Sequence, residues 1–394
     1  MDQAGIYIHI PFCQRKCTYC GFNTTDFGST LASSYVTALN CEINYWGARL
    51  SKAAQHGERV KVDSIFFGGG TPSILGPEQI GEVVKACRDA FDVAAGSEIT
   101  IEINPATDVR FKAGGWLRAG INRASVGVQS FIDRELISLS RTHTAAQAAD
   151  TINGLRIAGF NNLSLDLIAG LPEQRAADWE YNLSRALDFQ PEHLSLYLLE
   201  VKPGTPLEAQ IKRGLRPQPD DDLAAEMYGK TCDATSRAGF EQYEISNFAR
   251  LTEGPDSTSI SMYRSRHNLK YWRDAPFYGV GCGAHSYDGT NRWFNIKRTE
   301  TYIESITRSG CAVAERHTLS DRDRAIEALF MRLRLIEGVD LNAFKGTYEL
   351  DVEREYGKDL RRLADAGLIE LEDQRLRLTK TGLVLSNEVF QIFV

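Results

Sequence analysis

The sequence predicts an α/β protein, a partial (β/α)6 barrel of the TIM type followed by a C-terminal helical, winged-helix-like unit. Three observations carry the prediction. Strand-like and helix-like segments alternate through the first half, unusual polar, glycine and proline residues collect just after the strands, and the final stretch abandons that rhythm. Alternation of this kind implies right-handed βαβ units and a parallel sheet; a doubly wound sheet is the other arrangement of the same elements.

The strand candidates are short apolar runs rich in β-branched or aromatic residues, at 5–10, 62–67, 98–103, 123–128, 163–168 and 194–199. Between them lie segments of helical length and pattern, at 31–50, 77–91, 133–158 and 175–189. Each strand is followed by residues of unusual kind: His9-Ile10-Pro11-Phe12-Cys13, then Gly68-Gly69-Gly70-Thr71-Pro72, Asn104-Pro105, Gln129-Ser130 and Gly170-Leu171-Pro172. Parallel barrels place their chemistry on this face, because the loops there converge on one mouth. From about Arg250 the pattern breaks, with a Gly/Ser/Thr-rich stretch at 253–261 and then an aromatic segment, 266–272. The last part is rich in helix formers and ends in two alternating strands about Asp373-Gln374. The expected division is a core barrel over 1–240, an extension over 241–300 and a C-terminal winged-helix-like domain over 301–394. Asp220-Asp221-Asp222 reads as a solvated helix N-terminus rather than a metal site.

Composition narrows the function classes. With 394 residues, 43% hydrophobic and 25% charged, the chain is globular rather than disordered, and its net charge of −7 argues against a surface built to neutralise phosphates. No nucleic acid partner is therefore expected. The N-terminus runs into an apolar strand without a basic leader, and no apolar run is long enough to span a bilayer, so a cytoplasmic location is expected. In that compartment eight cysteines are poor disulfide candidates, and the signal lies in the clustering of Cys13, Cys17 and Cys20.

Three thiolates on one loop can converge on one iron-sulfur cluster, and a cubane held by three cysteines leaves one iron open to a chelating amine and carboxylate. A structural zinc completed by His9 or Cys41 is the alternative. The glycine run at 68–70 lets the backbone approach a small polar ligand, although glycines also serve plain turns. Glu102 and Asp166 each stand inside an apolar strand, where a carboxylate is costly unless it is bonded. They are read as ligand-binding groups inside the barrel, or else as ion pairs with Arg123 or Arg141.

Taken together, Tyr7-x-His9-Ile10-Pro11-Phe12-Cys13-x-x-x-Cys17-x-Tyr19-Cys20, the glycine run with Thr71-Pro72, Val128-Gln129-Ser130-Phe131, Arg141-Thr142-His143 and Asp166-Leu167-Ile168-x-Gly170-Leu171-Pro172 resemble the radical S-adenosylmethionine superfamily, in its coproporphyrinogen-dehydrogenase-like branch. The resemblance covers nearly the whole chain. It implies a 4Fe-4S cluster on the three cysteines and S-adenosylmethionine chelated to the open iron, which one electron can cleave to a 5′-deoxyadenosyl radical. Cofactor contacts would fall on Tyr7, Tyr19, Gly70, Thr71, Glu102, Gln129, Arg141 and Asp166.

Two members of this branch must be separated. The coproporphyrinogen dehydrogenases carry another cysteine two residues after the third and a longer N-terminal extension, whereas Phe22 stands at that place here and Cys13 comes early. His267-Asn268-Leu269-Lys270-Tyr271-Trp272, after Tyr243-Glu244-Ile245-Ser246-Asn247-Phe248-Ala249, instead resembles the signature of the HemW family of heme chaperones, as does the ending around Gly382 and Ser386-Asn387. That resemblance implies heme bound at His267, Asn268, Tyr271 and Trp272 and passed to acceptor hemoproteins, typically respiratory enzymes and some of them in membranes. Neutral imidazole is a good axial ligand, and in a helix Tyr271 shares the face of His267 while Trp272 can cover the porphyrin edge. Cys282 and His285 are secondary axial candidates, with a buried inert thiol as the other reading of Cys282. A homodimer is compatible with all of this. The alternatives are an oxygen-independent coproporphyrinogen III dehydrogenase and a tRNA-modifying radical enzyme, the latter opposed by the acidic charge balance.

Overall fold

The computed structural model describes residues 3–53, 57–252 and 260–393, so most of the Gly/Ser/Thr-rich stretch, 253–259, lies outside the described residues. All six strand candidates are strands: β1 (Ala4–Ile10), β2 (Lys61–Gly69), β3 (Asp92–Ile103), β4 (Arg123–Gln129), β5 (Leu163–Ala169) and β6 (His193–Leu198). They pair in parallel and in sequence order. The expected barrel is an arc of a longer, open sheet whose two ends do not meet. Beyond β6 the sheet continues through antiparallel Asn247–Arg250 and Phe240–Gln242. On the other side Phe277–Val280 lies parallel to β1 and leads to three antiparallel strands ending at Val313–Thr318. This part of the extension was not foreseen as strand, and it gives β1 a neighbour on both edges.

The pleat sorts the side chains. In β1, Ile6, Ile8 and Ile10 are fully buried beneath the outer helices, while Gly5, Tyr7 and His9 take the opposite face. The same alternation in β2 to β6 turns Ser64, Glu102, Ser125, Ser164, Asp166, His193 and Ser195 inward, where many of them contact one another. The arc therefore holds a polar lumen inside an apolar jacket.

One helix candidate is corrected. The segment 133–158 is two helices, Asp133–Ser138 and Ala145–Ala158. Ser140 takes a positive φ of 57°, and Thr144 opens the second helix by a reciprocal capping box with Gln147. The break has a consequence for the site, because it frees Arg141 from a helix surface and lets its side chain reach the strand ends.

The C-terminal part has its own hydrophobic core, in which Leu329, Phe344, Leu360, Leu376 and Val389 are buried. Three helices, Asp321–Arg332, Leu341–Tyr348 and Val352–Asp365, pack on a sheet of Val339–Asp340, Arg375–Leu378 and Ile369–Glu372. The expected hairpin is present, with Asp373 and Gln374 both at positive φ as its turn requires. Asp220 caps the helix Asp221–Arg237 by accepting from the Leu223 amide, in keeping with the reading of the acidic triplet.

Candidate cofactor site

A cavity of about 380 Å³ opens at the C-terminal ends of the strands. Its wall includes Cys13, Cys17, Cys20, Tyr19, Gly70, Thr71, Glu102, Gln129, Arg141 and Asp166. The segments that supply these residues span more than 150 positions of chain, and the barrel brings them to one mouth. Tyr7 is the exception among the expected cofactor contacts. It lies beneath the cavity, its ring beside the stacked pair of Phe66 and His267, with its hydroxyl 3.2 Å from His9 Nδ1.

The cysteine loop is anchored from several directions. Gly70 N–H donates to Ile10 O, and a Cβ on Gly70 would lie 2.7 Å from Pro11 O, so only glycine fits there. His9 is committed to Tyr7 and to the Asn23 carbonyl, 2.9 Å from Nε2, and Cys41 is exposed on the helix Ser29–Ala53. Neither completes a zinc site, and among the described residues no trio of His, Cys, Asp or Glu closes around a single ion. The thiolates of a cluster each bind a different iron and need surround only a volume. Burial raises the thiol pKa of Cys13 and Cys20, while Thr71 at 3.6 Å from Cys13 Sγ and the nearby Arg141 act in the opposite sense. Binding iron as thiolate therefore displaces the thiol protons.

Arg141 bonds to Gly127 O at 2.8 Å and lies 3.6 Å from Cys17 Sγ, but its buried Nε has no hydrogen-bond partner. A guanidinium with donor capacity to spare, beside the cysteine loop on the cavity wall, fits an anionic group in the cavity. Glu102 accepts from the Gly69 amide at 3.1 Å, and burial, reinforced by Asp166, pushes its carboxyl up to about 8. Asp166 is raised by burial, opposed by hydroxyl donors: Ser125 Oγ is 3.0 Å from each carboxylate oxygen and Ser164 Oγ is 3.2 Å from Oδ1. Neither carboxylate forms an ion pair within 4 Å among the described residues, although the charge of Arg123 acts on both from farther off and partly offsets their burial. They keep acceptor capacity for a ligand with N–H or O–H groups.

The segment expected to hold heme does form a helix, Arg266–Trp272, and Tyr271 does share the face of His267. Its placement differs from the expectation of an open ligand. His267 is 1% exposed, at the N-terminal end of the strands and opposite the cysteines, with Nδ1 3.1 Å from Ser64 Oγ and Nε2 2.9 Å from Tyr271 Oη. Burial, with Lys270 and Arg123 nearby, lowers its pKa to about 3 and keeps it neutral. Asn268 and Trp272 are half-buried, and Arg334 lies over the Trp272 ring at 4.4 Å. Cys282 is fully buried against Tyr35, Thr299 and Asn23, as an inert thiol would be, and His285 is exposed beside Phe294.

Sequence reasoning missed Ser125, Ser164, His193 and Tyr197 as parts of the lumen and Phe22 as an exposed cavity residue. The signal available was the alternation itself, since Ser164 and Asp166 stand two apart in one strand and must share a face.

A family model described as the radical SAM superfamily matches residues 7–185, and one described as the HemN C-terminal domain matches 319–385. Barrel, cysteine loop and cavity thus define a radical SAM protein. The chain is 33% identical over 389 residues to the heme chaperone HemW of Bacillus subtilis, covering 98% of each. It is 34% identical over 399 residues to the mouse mitochondrial radical S-adenosyl methionine domain-containing protein 1, covering 97% of this chain and 85% of that one. The solved structure of Escherichia coli coproporphyrinogen III oxidase (HemN), described as a radical SAM enzyme, shares the fold with a TM-score of 0.82 at 24% identity, over 99% of this chain and 90% of that one. The chain belongs to the heme chaperone HemW family.

Proposed function

We propose that this protein binds heme and hands it to acceptor hemoproteins, respiratory enzymes among them, and that it carries a 4Fe-4S cluster on Cys13, Cys17 and Cys20 with S-adenosylmethionine in the adjoining cavity. The observation that carries the cofactor part is the single cavity walled by three thiols, a buried arginine with an unpartnered Nε, and two carboxylates free of ion pairs. When bound, cluster and cofactor supply an electron and a site of reductive C–S cleavage. The chain's own residues bind and orient: Arg141 faces anionic groups, and Glu102 and Asp166 accept from amine and hydroxyl groups. Gly70 and Thr71 bring backbone and hydroxyl close to the cysteine loop.

The heme part is supported by the family's name and by the 266–272 segment. Because both nitrogens of His267 are engaged, we propose that it reaches heme iron only after the helix leaves the barrel floor and Tyr271 and Ser64 release the ring. The cytoplasm is the proposed location; no described helix is long and apolar enough to cross a membrane. The reading is tested by loading the reconstituted protein with heme and mixing it with an apo-hemoprotein whose holo spectrum is distinct. Transfer faster than from free heme supports the chaperone, and transfer no faster than from an unrelated heme binder contradicts it.

A further inference from the structure

Beneath the cavity, buried side chains form a run of hydrogen bonds that leads from Asp166 to the helix bearing His267. Ser164 Oγ is 3.2 Å from Asp166 Oδ1 and 2.8 Å from His193 Nδ1. His193 Nε2 is 2.8 Å from Tyr243 Oη, which accepts from the Ser265 amide at 3.2 Å. Ser164, His193 and Ser265 are fully buried and Tyr243 is 2% exposed. Ser265 is the N-cap of the helix Arg266–Trp272, its side chain accepting from the Asn268 amide.

Counting protons gives the run a direction. A hydroxyl carries one proton and a neutral imidazole one N–H. Burial keeps His193 neutral. At one end the Ser265 amide can only donate, and at the other an ionised Asp166 can only accept. With His193 protonated on Nδ1, every proton finds an acceptor: Ser265 N–H to Tyr243, Tyr243 O–H to His193 Nε2, His193 Nδ1–H to Ser164, and Ser164 O–H to Asp166. The other tautomer aims two donors at Tyr243, leaves the phenol proton without an acceptor among the described residues, and draws the Ser164 proton away from Asp166. Ser195, 3.4 Å from Ser164, does not break the run, because its own proton goes to Asn247 Oδ1 at 2.9 Å.

We propose that His193 and Tyr243 are positioning residues for Asp166: through Ser164 they orient its carboxylate as an acceptor facing the cavity, and they anchor that orientation in the N-cap of the His267 helix. The proposal rests on the reading of Asp166 as a contact of the cofactor. Serial donation polarises each bond in the same sense, so the far members act on the carboxylate although they never touch the ligand.

The test measures S-adenosylmethionine affinity by anaerobic calorimetry on the reconstituted full chain, for Asp166→Asn, Ser164→Ala, Tyr243→Phe and the Ser164/Tyr243 double variant. Each single change in the run is expected to weaken binding by roughly three- to tenfold, and the double by no more than the worse single. Loss of fold alone would not produce that non-additivity. Additive losses, or unchanged affinity in both singles while Asp166→Asn weakens binding, overturn the proposal and leave the cofactor reading standing. Unchanged affinity in Asp166→Asn overturns that reading and the proposal with it. Independently of any ligand, the ¹⁵N shifts of His193 are expected to show Nδ1 protonated and Nε2 bare; the reverse pattern also overturns the proposal.

Discussion

Glu102→Gln keeps the size of the side chain and removes only its ability to ionise. In the wild-type protein the carboxyl titrates at about 8 because it is buried and stands near Asp166. At pH 7, one unit below that value, about one molecule in ten is ionised, and at pH 9 about nine in ten are. If the cofactor is held by the carboxylate, the wild-type affinity relative to that of Glu102→Gln rises roughly tenfold from pH 7 to pH 9, equivalent to about 1.4 kcal/mol. Taking the ratio cancels titration of the cofactor itself and of groups common to both proteins. The assay is anaerobic calorimetry with S-adenosylmethionine across that range, with the cluster absorbance recorded at each pH. Parallel profiles for the two proteins would refute the assignment. The ligand-free chain adds a check of sign. A carboxyl raised in the folded state contributes stability that is complete below its ordinary value of 4.5 and is lost as pH rises through about 8. Glu102→Gln should therefore flatten the decline of stability over that window.

Three further outcomes follow from the same geometry. Replacing any one of Cys13, Cys17 or Cys20 by alanine should abolish the iron-sulfur absorbance after reconstitution with little change in the far-ultraviolet spectrum, since the three line a cavity and contribute little to the core; a retained cluster would contradict the ligand set. Ser64→Ala removes the bond that ties the His267 ring to β2 in the floor, so heme affinity should rise, whereas His267→Ala should lower it markedly; two unchanged titrations would remove His267 from the account. Glu42 is fully buried and receives Trp46 and Asn295 on one oxygen and Gly281 N–H and Tyr302 on the other. Whichever way a glutamine amide lies, its NH₂ meets at least one N–H that can only donate, so Glu42→Gln should cost roughly 1–3 kcal/mol by chemical denaturation, and an unchanged midpoint would refute that hub.

The strands of the arc were legible because a buried parallel strand is a short apolar run bounded by turn residues, and each of the six carries that mark. Phe277–Val280 carries it too, between Pro276 and Gly281, but it lies far along the chain from β1, and sequence does not announce such a pairing. The break at Leu139–Thr144 was legible only as Thr144-x-x-Gln147, a weak local signal against a long helical pattern. The cavity residues were found through motif and strand position, since the topology forces C-terminal strand ends together. His267 shows the limit. A His-x-x-x-Tyr spacing places two side chains on one face of a helix, yet whether that face meets solvent or the floor of a barrel depends on where the chain returns, and here it returns to Ser64 of β2.

The most direct test of the account is a heme titration of the anaerobically reconstituted protein, followed in the Soret band, with a parallel incubation with coproporphyrinogen III, reductant and S-adenosylmethionine assayed for decarboxylated product. The account predicts a saturable Soret shift near one heme per chain and no product. Turnover to protoporphyrinogen would contradict it, and would mean that Phe22, standing where the dehydrogenases carry a cysteine, does not mark a change of function.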